Sequence, residues 1–126
     1  MVSSYLDEQY AVILAHRVVQ TAKLVRRTET SIDGFLRVRC RLVNSDFLEI
    51  AIHVALEETQ VVQDSYRFQW MDGGQAILYR RWDMAPHYPN LPGFPHHCHI
   101  GSESNVEPSK PMNVSAILDW LEQNTL

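Results

Sequence analysis

Apolar and polar residues alternate with a period of two along the middle of this chain and switch to helical spacing only near its ends. From Phe35 to Val43, Leu36, Val38, Cys40 and Leu42 fall on one side and Arg37, Arg39 and Arg41 on the other. Past the turn Asn44-Ser45-Asp46 the alternation resumes, with Leu48, Ile50, Ile52, Val54 and Leu56 opposing Glu49, Ala51 and His53. Period two is the signature of a strand with one buried face. Residues 18–30 are rich in β-branched side chains and end at Ser31-Ile32-Asp33-Gly34, whose Asp-Gly pair favours a tight hairpin. A fourth strand is predicted over 61–71, with Tyr66, Phe68 and Trp70 on one face; Asp72-Gly73-Gly74 then turns the chain into a fifth strand over about 76–83.

The flanks are helical. Leu6, Tyr10, Ile13 and Leu14 follow Ser4-Tyr5-Leu6-Asp7, a hydroxyl with a carboxylate three residues on, and predict a short amphipathic helix over about 4–15. Val114, Ile117, Leu118 and Leu121 repeat at i, i+3, i+4, i+7 behind Pro111-Met112-Asn113 and predict a second helix. Hairpin after hairpin makes an antiparallel meander. The expected fold is α+β: a curved antiparallel sheet of about five strands, flanked by an N-terminal and a C-terminal helix, in one domain spanning 1–126. Residues 101–111 read as a surface loop.

Register decides what the other face carries. A one-residue slip would expose Leu48, Ile50 and Ile52, so the apolar faces of the paired strands must stay together. The polar face then gathers Arg37, Arg39, Arg41, Glu49, His53 and Arg67. Arg81 and Asp83 join them if Leu78, Arg80 and Trp82 turn toward the core. Taken alone, such a face is an ordinary solvated surface with cross-strand ion pairs of ~0.2–1 kcal/mol each.

The segment after Asp83 gives that face a second meaning. Four of the six histidines (His87, His96, His97 and His99) lie close together here, interleaved with Pro86, Pro89, Pro92 and Pro95. Proline excludes a helix and argues against a central strand, so the segment reads as a stiff loop presenting imidazoles. Three chemistries compete for them. A metal site needs three or four converging ligands, drawn from Asp83, His87, His96, His97, Cys98 and His99. Adjacent residues of an extended segment point to opposite sides, so His97 and His99 can converge while His96 and Cys98 face away. Acid–base work on a phosphodiester needs two proton-exchanging groups and cations, which His87, His97, His99, Glu49, Asp83 and the arginines supply. Tyr79, Trp82, Tyr88 and Phe94 are the aromatic rings near enough in sequence to stack a splayed base. Nucleophilic Cys–His catalysis would use Cys98 between two histidines.

Charge and composition narrow the partners. A net charge of −4 argues against bulk attraction to nucleic acid, yet nine of the eleven basic residues are Arg, whose planar fork suits phosphate and carboxylate. Cys40 and Cys98 are too few for a disulfide framework and suit a reducing compartment. No apolar run approaches the ~18 residues of a membrane span, and the polar start MVSSYLDEQY lacks a signal-peptide pattern, so the expected location is cytoplasmic.

The block from Tyr66 to His99 resembles the TumE family of toxin–antitoxin proteins. The resemblance rests on Tyr66-Arg67-Phe68-Gln69-Trp70, Gly73-Gly74, Arg81-Trp82-Asp83, Ala85-Pro86-His87, Pro89-Asn90-Leu91 and Phe94-Pro95-His96-His97-Cys98-His99. It extends more loosely to Asp33-Gly34, Leu48-Glu49 and Val106-Glu107-Pro108-Ser109. Met84, Tyr88, Gln69 and Cys98 depart from the family pattern. The resemblance implies a small cytoplasmic toxin neutralised by a helix-turn-helix antitoxin. Together with the residues it leads to a first expectation: a metal-independent ribonuclease without a cofactor. Arg37, Arg39, Arg41 and Arg67 would bind RNA phosphates; His87, His97, His99, Arg81, Asp83 and Glu49 would carry the chemistry. A non-catalytic protein-binding module and a metal-dependent hydrolase are the alternatives.

Overall fold

The structure, a computed structural model, describes residues 1–126. Its elements run α1 (Val2–Ala15), β1 (Val19–Glu29), β2 (Asp33–Leu42), β3 (Phe47–Glu57), β4 (Gln60–Met71), β5 (Leu78–Asp83), β6 (His97–Ile100), β7 (Val106–Pro108) and α2 (Val114–Thr125). The strands form a single sheet in sequence order, every neighbouring pair antiparallel. The α+β meander therefore stands, with seven strands in place of about five.

Both added strands lie where loops were expected. The close run of prolines ends at Pro95, and the chain is free to pair from His97 onward, so His97–Ile100 enters the sheet between β5 and β7. Val106–Pro108 then closes that edge, where the missing N–H of Pro108 is tolerated. Gly101, at φ +75°, supplies the left-handed backbone that turns the chain between these strands. At the other end, α1 begins at Val2 without a side-chain cap, and the Ser4 hydroxyl donates to the Met1 carbonyl instead of capping the helix. Asn113 does cap α2, its side chain accepting the Ala116 N–H at 2.8 Å.

One face of the sheet is the core. Leu36, Val38, Cys40, Leu42, Leu48, Ile50, Ile52, Val54, Tyr66, Phe68, Trp82 and Cys98 meet Leu6 and Ile13 of α1 and Val114, Ile117, Leu118 and Leu121 of α2. Trp120 of α2 lies edge-on to both Trp70 and Trp82. With both helices on that face, the polar face is left open, except where the connection 84–96 lays Tyr88 against the rings of His97 and His99.

Register arranges the polar face as two rows crossing the strands. One row is Arg39, Glu49, Gln69, Arg81 and His99; the other is Arg37, Ala51, Arg67, Asp83 and His97. The alternation of single strands thus becomes a two-dimensional pattern, basic at β2 and ending in histidines at β6.

Candidate active site

At the β5–β6 end of these rows sits a cleft of about 530 Å³. It is lined chiefly by Arg67, Arg81, Asp83, His87, His97, His99 and Glu103, with Ser65 and Tyr88 also on its wall. A second hollow of about 280 Å³, lined by Arg37, Glu49, His53 and Ala51 among others, shares Ser65, Tyr66 and Arg67 with the first. The two adjoin at these shared residues and form one groove across the sheet.

Its inner end is built by pairing. Asp83 is opposite His97 and Arg81 opposite His99 across β5 and β6, so period-two alternation sends all four side chains to the polar face. Asp83, His97 and His99 are buried, at 7%, 1% and 3% exposure. Asp83 Oδ1 accepts the Ala85 N–H at 3.0 Å, and Oδ2 accepts the Arg81 Nε–H at 3.2 Å. His97 Nδ1 lies 2.9 Å from the Pro95 carbonyl oxygen and His99 Nδ1 lies 2.8 Å from that of Glu103. A carbonyl only accepts, so both histidines carry a proton on Nδ1 and donate it to the backbone. Both Nε2 atoms then face Asp83, at 2.8 Å from Oδ1 for His97 and 3.5 Å from Oδ2 for His99.

Arg81 bridges Asp83 and Glu103, meeting the Glu103 carboxylate through both terminal nitrogens. Burial disfavours the Arg81 charge, but bonds from Glu103 and Asp83 outweigh it and hold its pKa above the ordinary value. The Arg81 bond in turn keeps the Glu103 carboxyl below its usual range. Arg67 is different: exposed, it donates to the Gln69 side-chain oxygen and has no carboxylate bonded to it. Among the arginines on the groove it is the one least neutralised.

The residues anticipated for this site divide. Arg81, Asp83, His87, His97, His99 and Arg67 line one cleft. Arg37 and Glu49 line only its extension, and Arg39 and Arg41 flank a separate hollow with Thr21 and Gln75. The reason is distance: β2 is three strand spacings from β5, roughly 14 Å. Arg41 is further committed to the turns, donating to the Ser45 and Gly73 carbonyls. Glu49 is clamped by Arg37 and Arg39. Burial raises its pKa, but those two bonds prevail and leave it below the ordinary carboxylate value, a poor proton acceptor. His96 faces away, its Nδ1 2.8 Å from the Tyr66 hydroxyl. Burial rules out the Cys98 nucleophile: its thiol is in the core and its pKa is pushed up to about 11.

Of the four aromatic candidates, Tyr88 alone lines the cleft, and Trp82 belongs to the core. Tyr88 meets His97 at 4.9 Å between ring centres because the proline-rich connection folds back over β6. Glu103 is the site residue that sequence reasoning misses. It reaches the cleft only because β6 and β7 form a hairpin, and no spacing in the sequence announces that turn.

Two clusters have ligand geometry suited to a metal ion: Asp83 with His97 and His99, and His16 with Asp119 and Glu122. They differ in tautomer. His16 Nδ1 accepts the Val18 N–H, so its Nε2 carries the proton and donates to Asp119 at 2.9 Å. That histidine is fully satisfied by protein.

Fold and cleft together define a small α+β protein with a helix-covered core face and a polar, arginine-lined groove on the other. A family model described as Toxin TumE matches residues 9–125, and the chain belongs to that family. It is thus a toxin component of a toxin–antitoxin system, which implies an antitoxin partner. No curated protein and no solved structure matches the chain. No helix is long and apolar enough to cross a membrane.

Proposed function

We propose that this toxin cleaves RNA in the cleft between β5, β6 and the connection 84–96. The observation that carries the proposal is the groove itself: it runs from Arg37 past the carboxylate-free Arg67 to a buried Asp83–His97–His99 cluster, with exposed His87 at its rim. Arginine forks suit phosphate oxygens, and Arg67 has no carboxylate to give up first. Imidazole exchanges protons near neutral pH. His87 accepts the proton of a ribose 2′-hydroxyl as that oxygen attacks the adjacent phosphorus. The bond from phosphorus to the 5′-oxygen breaks, its electron pair leaves with that oxygen, and a proton from water neutralises it. The products are a 2′,3′-cyclic phosphate and a 5′-hydroxyl. Arg67 and Arg81 stabilise the extra negative charge on the phosphorane. Tyr88 offers a face on which a splayed base stacks.

The partner in this reading is a helix-turn-helix antitoxin and the location cytoplasmic; the family membership and two free cysteines support it. The test is a purified-protein digest of a labelled RNA and of the same RNA with a single 2′-deoxy residue at the cut site. Cleavage of the first and not the second is expected. Equal cleavage of both, or of neither at any protein concentration, removes the mechanism.

A further inference from the structure

Asp83, His97 and His99 place three ligand atoms within 4.8 Å of one another in a pocket wall, and two of those atoms are imidazole Nε2 atoms on rings whose Nδ1 is held by a backbone carbonyl. We propose that these three residues bind a divalent first-row transition metal ion at the base of the cleft. The inference stands on geometry independent of the ribonuclease reading, although a metal there would serve it.

Protonation comes first. With Nδ1 of both histidines against backbone carbonyls, each ring turns its Nε2 toward Asp83. His97 Nε2 has no hydrogen-bond partner, although the Asp83 carboxylate is only 2.8 Å away and the side chain is almost wholly buried. A buried acceptor facing an acceptor costs free energy unless something positive lies between them. A proton or a metal ion resolves the arrangement; convergence of two Nε2 atoms on one carboxylate, with each Nδ1 bonded to a backbone carbonyl, is the habit of metal-binding histidines.

Distances agree. Two ligands each ~2.1 Å from a common ion and subtending 90–110° are about 3.0–3.4 Å apart. The two observed nitrogen–oxygen separations, 2.8 and 3.5 Å, bracket that interval. Asp83 retains capacity: each oxygen accepts one N–H and keeps a lone pair. Charge permits it too, because Glu103 offsets Arg81, leaving the carboxylate of Asp83 to face the ion. Three protein ligands with a cleft on the fourth side match an open rather than a closed site, and an N₂O set suits zinc, iron or manganese. When bound, the ion would polarise a phosphate oxygen entering beside Arg67. The His16 cluster lacks this pattern, since its Nε2–H is spent on Asp119, and it serves as the control.

The experiment titrates chelator-stripped full-length protein with Zn²⁺, Mn²⁺ and Co²⁺ by calorimetry, with Co²⁺ visible absorption reporting ligand type. One equivalent should bind, with a nitrogen-ligated cobalt spectrum. Asp83→Asn, His97→Ala and His99→Ala should each weaken binding by ~100-fold or more, and His16→Ala should leave it unchanged. Ligand loss should also erase the metal-induced rise in Tm, and the shape-conserving Asp83→Asn answers the question if a histidine variant does not fold. Absence of binding to the wild type, or binding lost in His16→Ala and kept in His97→Ala, overturns the proposal. Metal binding without RNA cleavage leaves this inference standing and removes the ribonuclease; RNA cleavage with no metal bound does the reverse.

Discussion

Arg81 is held by two carboxylates of opposite character, and removing each should give very different results. Asp83 is buried and accepts both the Ala85 N–H and the Arg81 Nε–H, whereas the Glu103 side chain is 69% exposed. Asp83→Ala strands a backbone donor and half of a buried ion pair. Breaking a buried pair costs ~3–5 kcal/mol. Because Arg81 keeps Glu103, the lower end applies, about 3 kcal/mol. An unfolding entropy of ~2.1 cal/mol/K per residue over 126 residues gives about 0.26 kcal/mol/K, so Tm should fall by roughly 11 °C. Glu103→Ala removes an exposed pair worth ~0–1 kcal/mol, a fall of at most about 4 °C. Calorimetric melting of both variants in chelator, so that no ion contributes, makes the comparison. Equal shifts, or a larger one for Glu103→Ala, would mean that Asp83 is not the buried hub of the site.

Three further outcomes are expected from the same geometry. Arg67→Ala should leave Tm within about 1 °C of wild type yet weaken RNA binding and lower the salt dependence by ~0.7 per lost phosphate contact; anisotropy titrations at several salt concentrations measure it. His53 is ion-paired with Asp64 and Asp33, chiefly through its bond to Asp64, and its pKa is raised. Its stabilisation is therefore full below the unfolded value of ~6.5 and lost as pH rises through the folded one. At 36% side-chain exposure it is worth at most ~1 kcal/mol, so His53→Ala should destabilise at about pH 5.5 and cost nothing extra at about pH 9 in urea melts. Cys98→Ser puts a hydroxyl into the core and should cost ~1–3 kcal/mol, while the native thiol should resist alkylation until the protein unfolds.

Period-two alternation carried most of this fold. It placed Leu36 to Leu42 and Leu48 to Val54 in the core, and it turned Arg81 and Asp83 toward the polar face, because burial of one face leaves the register no freedom. It failed at His97–Ile100, where burial is unrelated to apolar character: two of the residues are imidazoles held at Nδ1 by the Pro95 and Glu103 carbonyls. A strand made of such residues has no hydrophobic signature and is indistinguishable in sequence from the loop before it. The convergence of His97 and His99 on one side holds all the same, since alternation applies to any extended segment. Arg39, Arg41 and Glu49 share the face of the site without lining its cleft. A face five strands wide is larger than a site, and only cross-strand order, which no single strand reveals, separates Arg67 from Arg39.

Whether the toxin acts by cutting RNA at the Asp83–His97–His99 cleft can be read in living cells. The wild type and Asp83→Asn are induced in bacteria, and new 5′-hydroxyl RNA ends are mapped as growth slows. The wild type should give new ends and arrested growth, and Asp83→Asn, present at the same soluble level, should give neither. Growth arrest by the wild type with its RNA intact, or new ends produced equally by both proteins, would contradict cleavage at this cleft.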